Sequence, residues 1–335
     1  MHMRPLRLSL FALLLLAVLG LSQEAEAEEI SLEYLVGYEI EDDVPQDVAL
    51  SENYAYIVNW YNGLIILDVE DSTEISLVGS YEISEVRGLN ISGNYAYLAA
   101  HEQGLVIVDI QDPSNPTLAG NYDSEGYTYD VVTSGNYAYV SNWGSGLDII
   151  DIEDPSNLTL VGSYDAESFQ DIAVSGNYVF VADEDNGLVI LNIEDPSNPV
   201  LAGNYKPYIG DSPSIDTVHS VEVSENYAYV LASFMDLHVV NIEDPSNPTL
   251  VGSCNTSANP RSIVIARNYA YIADGSEGLA MVDIEDPSNP SLSGNYYASH
   301  DYESRGLAIS ENYVYVVYSG YEGNGELVIM ESGFT

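Results

Sequence analysis

Apolar and polar positions along this chain follow a short period nested in a long one. Runs of four to six apolar residues alternate with clusters of Gly, Asn, Ser, Asp and Pro. The runs that recur lack the three-and-four spacing of an amphipathic helix. Their length and their turn-residue borders predict β-strands. Between Gly88 and Tyr122 the runs are Gly88–Ile91, Tyr95–Ala99, Leu105–Ile110 and Leu118–Tyr122, labelled a to d. The set then recurs. Asn-Tyr pairs opening strand b place marker tyrosines at Tyr54, Tyr95, Tyr137, Tyr178, Tyr227, Tyr269 and Tyr313, spaced 41, 42, 41, 49, 42 and 44 residues apart. A period of this size is the mark of a repeat architecture.

The connections predict antiparallel pairing. Ser92-Gly93-Asn94 and Ser224-Glu225-Asn226 join a to b, where Gly and Asn tolerate the positive φ of a tight hairpin. Asp112–Pro116, reading DPSNP, joins c to d, and strand d must begin after its last proline. Strand c is apolar throughout (Leu105-Val106-Ile107-Val108), which implies cover on both faces. Strand b alternates Tyr with small residues, which suits sheets stacked face to face. Seven such units are expected to form an all-β, seven-bladed β-propeller of four-stranded antiparallel blades, because an open stack would leave two apolar end faces. The seventh unit has a (Gly306–Ile309), b (Tyr313–Val317) and c (Leu327–Met330) but no d. Its missing text stands at the other end, where Leu35–Ile40 resembles Leu77–Ile83. The N-terminal strand is therefore expected to complete the last blade and close the ring. Burial of Leu35 and Val36 would contribute about 1.5–3 kcal/mol each.

Strand c carries a signature. Leu105-Val106-Ile107-Val108-Asp109 spells LVIVD, with variants at Leu64–Asp68, Leu147–Asp151, Leu188–Asn192, Leu237–Asn241 and Leu279–Asp283. The chain resembles the LVIVD-repeat proteins of bacterial and archaeal cell surfaces over nearly all of its length after residue 27. The resemblance implies a propeller and an exported location. It implies no reaction and no catalytic residue.

The first residues fall outside the repeat. Arg4 and Arg7 precede the uncharged apolar run Leu8–Leu21, and Ala25-Glu26-Ala27 follows. This is the layout of a secretion signal over residues 1–27, with a single propeller over 28–335. An uncleaved anchor is the alternative, though the run is short for a spanning helix and no second one follows. The chain has 53 acidic and 7 basic residues, a net charge of −46. The signal takes two of each sign with it. Such a charge excludes nucleic acid and an anionic membrane surface as partners, and it calls for screening by salt or divalent ions. Cys254 is the lone cysteine, so no internal disulfide exists.

Function is expected where the repeats diverge. The a–b and c–d turns are nearly copied from unit to unit and share one face, the bottom. The b–c and d–a loops differ in every unit and share the top, where a rigid frame places binding residues. Eight residues before each marker tyrosine the chain reads Gln46, Arg87, Tyr129, Gln170, His219, Arg261 and Arg305. Strand a is innermost in a propeller, so this ring should line the upper mouth of the central channel. Three of the five basic residues left after the signal stand here. They are suited to gripping a carboxylate, a sulfate or an acidic sugar. The alternative is that each Arg pairs with an Asp of an adjacent blade. The next position reads Asp47, Gly88, Asp130, Asp171, Ser220, Ser262 and Gly306, with Asp after Gln or Tyr and Gly or Ser after Arg or His.

Other candidates are looser. Trp60, Tyr61, Trp143 and Phe234 are top-loop aromatics fit for a sugar or a protein partner. Asp183 and Asp185 head the densest acidic loop and are the metal candidates. Loosely held calcium is the one cofactor suggested, although the EF-hand spacing is absent. Sequons at Asn157 and Asn255 are the glycosylation candidates, while Asn90 falls in an inner strand. His101, His219, His238 and His300 occupy four different registers, and no HExxH, GxSxG or phosphate loop occurs. The sequence thus predicts a secreted or cell-surface binding or structural module, acting through its top loops in adhesion or envelope assembly. The partner would be an envelope protein or glycan, with self-association as a further option. A hydrolase or lyase acting on polysaccharide at the channel mouth is the alternative.

Overall fold

Each repeat folds as one antiparallel sheet in the order a-b-c-d. The computed structural model describes residues 32–332, apart from 72, 208–216, 234–235, 257–258, 298–301 and 321–322. Residues 1–27, expected from the sequence to be a secretion signal, and Phe234 and His300 therefore lie outside the described residues. Six blades use four consecutive strands; blade 1, for example, runs Pro45–Ser51, Tyr54–Asn59, Gly63–Asp68 and Ser76–Tyr81. The described residues contain no helix, and so none long and apolar enough to cross a membrane.

The seventh blade is built from both ends of the repeat array. Leu32–Ile40 pairs antiparallel with Gly325–Ser332, which continues into Tyr313–Gly320 and Tyr302–Ser310. The latch is three residues longer than the sequence pattern suggests, because Leu32 still finds a backbone partner at Ser332. Leu35 and Val36 are only half-buried, packed beside Ile40 on a cluster that also holds Val48, Ile57, Leu67 and Leu327. Full-burial values therefore overstate what those two side chains contribute. Closure is visible in the inner strands. The seven a strands touch one another in an unbroken cycle, the seventh against the first.

Among the described residues no apolar cluster fills the centre of the ring. The apolar clusters lie between blades, and each is drawn from two neighbours. Tyr56, Val58, Leu64 and Ile66 of blade 1 meet Leu89, Leu98, Val106 and Val108 of blade 2 in one cluster. The same arrangement joins blades 2 and 3, 3 and 4, 4 and 5, 5 and 6, and 7 and 1. Strand c is covered on both faces, with Leu105–Val108 all buried. Cys254 takes the register of Tyr122 opposite strand c and packs on the cluster of blades 5 and 6.

The bottom turns dock blade on blade. The glycine of strand d in one blade lies against the DPSNP turn of the next. A Cβ on Gly79 would overlap the Pro113 carbonyl oxygen, and one on Gly120 the Pro155 carbonyl. Gly294 lacks that neighbour, since blade 7 has no such turn, and its Cβ would meet only the Met281 methyl at 3.9 Å. In the a–b turns the left-handed residue is glycine at Gly93, Gly135 and Gly176 but Glu or Arg at Glu52, Glu225, Arg267 and Glu311. Glycine is thus not required for this hairpin.

Candidate functional site

A repeated β-bulge builds the channel mouth. In blade 1 Pro45 pairs with Asn59 and Asp47 with Val58, so Gln46 is the extra, unpaired residue. Tyr129 and His219 are the extra residues of blades 3 and 5 in the same way. The register also slips across Gln170-Asp171 in blade 4 and Arg305-Gly306 in blade 7. In blades 2 and 6 strand a instead begins one residue later, and Arg87 and Arg261 donate their N–H to Ala99 and Ala273 at 2.9 and 2.8 Å. A bulge bends its strand and re-aims a side chain. All seven ring residues, Gln46, Arg87, Tyr129, Gln170, His219, Arg261 and Arg305, consequently line one cavity of about 500 Å³.

The aspartates one position on tie blades together through backbone. Asp47 accepts from Val48 N at 2.8 Å and, across the seam, from Leu89 N of blade 2 at 3.2 Å. Asp130 accepts from Ile172 N of blade 4 at 3.3 Å, and Asp171 from Val221 N of blade 5 at 2.8 Å. The adjacent glycines make room for these carboxylates: a Cβ on Gly88 would strike Asp130, and one on Gly306 would strike Asp47. That accounts for glycine at these two positions. The carboxylates do join blades, but to N–H groups rather than to the ring arginines. Burial pushes the Asp47 carboxyl up to about 7, with the Asp171 charge adding to it. Burial, then the neighbouring Asp171, raises Asp130 well above the carboxylate range. Deeper in the channel, burial and Asp171 push Glu222 up to about 7.

The arginines are held differently. The Arg87 guanidinium lies 4.8 Å from the Trp60 ring and 4.3 Å from the Tyr129 ring. Tyr129 stacks in turn on Trp143, centroids 5.9 Å apart. His101 joins the group, stacked on Tyr127 at 4.3 Å and edge-on to Trp60 at 5.5 Å, with Nδ1 3.4 Å from Glu85. Cation–π contacts of this kind hold a guanidinium without neutralising it. Arg305 lies 3.4 Å from Glu303 of its own strand. Among the described residues neither Arg87 nor Arg261 forms an ion pair, and the buried Nε of each meets no hydrogen-bond partner. His219 shares a 2.6 Å hydrogen bond with Ser233 Oγ, and burial followed by the Arg261 charge lowers its pKa, which favours the neutral ring.

Two groups that the sequence leaves separate, the ring and the top-loop aromatics, thus meet at Arg87. Trp60 and Trp143 belong to the mouth, whereas Tyr61 stands apart at 60% exposed. Its loop is pinned by buried Asp43, which accepts from Tyr61 N and Asn62 N at 2.9 Å each. Asp183 does the same for its own loop, accepting from Ser168 Oγ, Asp185 N and Asn186 N at 2.8–2.9 Å. Asp185 accepts from Ser168 Oγ at 3.2 Å. Among the described residues no three His, Cys, Asp or Glu side chains are grouped so as to hold a metal ion. Asn157 and Asn255 are exposed, while Asn90 accepts from Thr133 Oγ1 across a blade seam at 2.7 Å. His101 and the bulges leave no mark in the repeat pattern. The Asp register does, but its backbone partners do not.

A comparison with curated proteins returns no match. Among solved structures, the computationally designed Ika8 protein matches at a TM-score of 0.63 and 13% identity, covering 88% of this chain and 99% of its own. The β-propeller domain of Myceliophteria thermophila Cps50 (Swd1) matches at 0.67 and 12% identity, covering 88% and 98%. Both likenesses are of fold. The LVIVD repeat family model matches seven times, over residues 45–83, 85–124, 125–166, 168–206, 217–256, 259–298 and 303–330. The register of these matches is that of the seven blades, and the chain belongs to the LVIVD repeat family.

Proposed function

We propose that this propeller is an exported binding module whose top face takes an anionic group of an envelope or extracellular partner at the channel mouth. One observation carries the reading. A chain with 53 acidic residues brings Arg87 and Arg261 to a single cavity and leaves both without a carboxylate partner. Burying part of a guanidinium without a counter-charge is costly unless a ligand supplies it. The uniform bottom turns and diversified top loops support the same face. The leader-like residues 1–27 support export, and the acidic surface suits a salt-rich exterior.

The enzyme alternative has its own support, since Asp47 and Asp130 carry raised pKa values in the same cavity. Asp47 and Asp171, however, spend both oxygens on backbone N–H groups, which suits blade closure better than proton transfer. An array of neutral and acidic glycans tests the reading. Wild-type protein is expected to bind acidic members, and the triple variant R87Q/R261Q/R305Q to lose them while melting normally. Binding that survives the triple variant contradicts the proposal. Sugar release from any bound polysaccharide, abolished by D130N, would establish the enzyme instead.

A further inference from the structure

The mouth presents more than cations. Between the arginines stand neutral polar side chains: Gln46, Tyr129 and Gln170 in the ring, with Ser220 and Ser262 one position below. These groups exchange hydrogen bonds with hydroxyls and carry no charge of their own. The cations are unevenly placed. Arg261 and Arg305 come from adjacent blades, beside neutral His219, whereas Arg87 stands across Gln46 of blade 1, fixed between Trp60 and Tyr129. The cavity of about 500 Å³ exceeds what a bare carboxylate or sulfate fills, and it falls in the size range of small-molecule pockets.

The field of the whole protein sorts candidate anions by charge. Every approaching negative charge is repelled by a net −46, and the repulsion grows in proportion to the charge the ligand carries. A polysulfate or polyphosphate pays that repulsion many times over for contact with three arginines. A molecule with one carboxylate meets it once, and a planar carboxylate fits a guanidinium fork in bidentate fashion. The layer beneath reinforces the preference. Asp47, Asp130 and Asp171 lie one position below the ring, and any ionised carboxylate among them repels a second charge that reaches past it.

Resting on the anion-binding reading above, we infer that the channel mouth recognises a sugar acid: one carboxylate on an otherwise neutral, hydroxyl-bearing ring. The ring is either a free uronate or the terminal unit of a neutral glycan. The carboxylate sits on Arg261, which has no ion-pair partner among the described residues, and the ring hydroxyls face Gln46, Gln170 and the serines. Trp60 and Tyr129 keep Arg87 in place two blades from Arg305.

Calorimetric titration of the full-length chain tests this. The probes are D-glucuronate, D-galacturonate, a disaccharide ending in glucuronate on a neutral sugar, D-glucose, sodium sulfate and polygalacturonate. A uronate, free or terminal, is expected to bind one to one, with glucose, sulfate and polygalacturonate at least tenfold weaker per site. Preference for the disaccharide over the monomer identifies the glycan end as the source, and the reverse identifies the free acid. R261Q is expected to weaken uronate binding at least tenfold and R261K to recover part of it. R267Q, on a bottom turn, is expected to change nothing. Circular dichroism and melting confirm that each variant folds. Sulfate or polygalacturonate binding more tightly than uronate, and lost in R261Q, overturns the sugar-acid inference and leaves an anion-binding mouth. Uronate binding that is indifferent to R261Q and R305Q, or no binding by any anion of the panel, overturns both.

Discussion

Aspartate does opposite work on the two faces of this propeller. On the bottom, Asp154, Asp244 and Asp286 open the c–d turns and each accepts a serine N–H and hydroxyl two residues on. Those bonds favour the ionised form and lower the carboxyl pKa values. At the channel, Asp47 and Asp130 also accept N–H groups, yet burial outweighs the bonds and raises their pKa values. The turns are solvated, repeated and locally content. The mouth pairs Arg305 with Glu303 but leaves Arg87 and Arg261 without a carboxylate partner among the described residues. A fold that needed only closure could have repeated one Asp/Gly pair in every blade.

The comparison can be broken first at the turn dock. G79A forces a Cβ onto the Pro113 carbonyl of the next blade, and the loss is expected to be about 3 kcal/mol by denaturant titration. G294A, in the blade-6 strand that faces no such turn, should shift stability by less than about 0.5 kcal/mol. Equal effects would mean that the turns do not bear on their neighbours.

The pH response comes next. The folded pKa of Asp47 lies at about 7, above its ordinary value of 3.8, so the native state binds the proton more tightly than the unfolded chain does. Its contribution to stability is full below about pH 4 and is lost as the pH rises through 7, an effect of about 4 kcal/mol over the whole range. Glu222, also raised to about 7, acts in the same direction. The melting temperature should therefore fall from pH 5 to pH 8 at constant ionic strength, and D47N should flatten that slope. The bottom turns have the opposite sign: their lowered carboxyls contribute above the ordinary aspartate pKa and lose that contribution in acid. The turn carboxylates are already ionised from pH 5 upward, so a melt that rises from pH 5 to pH 8 would contradict the raised channel carboxyls. The smallest effect belongs to a single turn. S156A removes the hydroxyl donor from Asp154 on an exposed loop and should move the melting temperature by less than about 1 °C.

What the sequence shows and what it hides follow from the same physics. The blade count, the pairing and the latch at Leu35–Ile40 are legible because each depends on local apolar period and turn chemistry, which the repeats copy. The ring register is legible because the units align against one another. The bulge is not, because an extra strand residue leaves no compositional trace; Gln46, Tyr129 and His219 share nothing but position. The convergence of Trp60, Arg87, Tyr129 and Trp143 is hidden for another reason. It spans three blades, and the path of each loop decides it. The Asp/Gly alternation stands in plain view as text, but its meaning lies in a neighbour some 42 residues away, as with Asp47 and Leu89.

The chain contains two tryptophans, Trp60 and Trp143, and both flank the mouth. Tryptophan emission therefore reports on that site. Titrating the protein with glucuronate while following this emission tests the central claim most directly. The account predicts a saturable change that matches the calorimetric isotherm and disappears in R87Q/R261Q/R305Q. Calorimetric binding with unchanged emission, or an emission change that persists in the triple variant, would place the ligand elsewhere and contradict it.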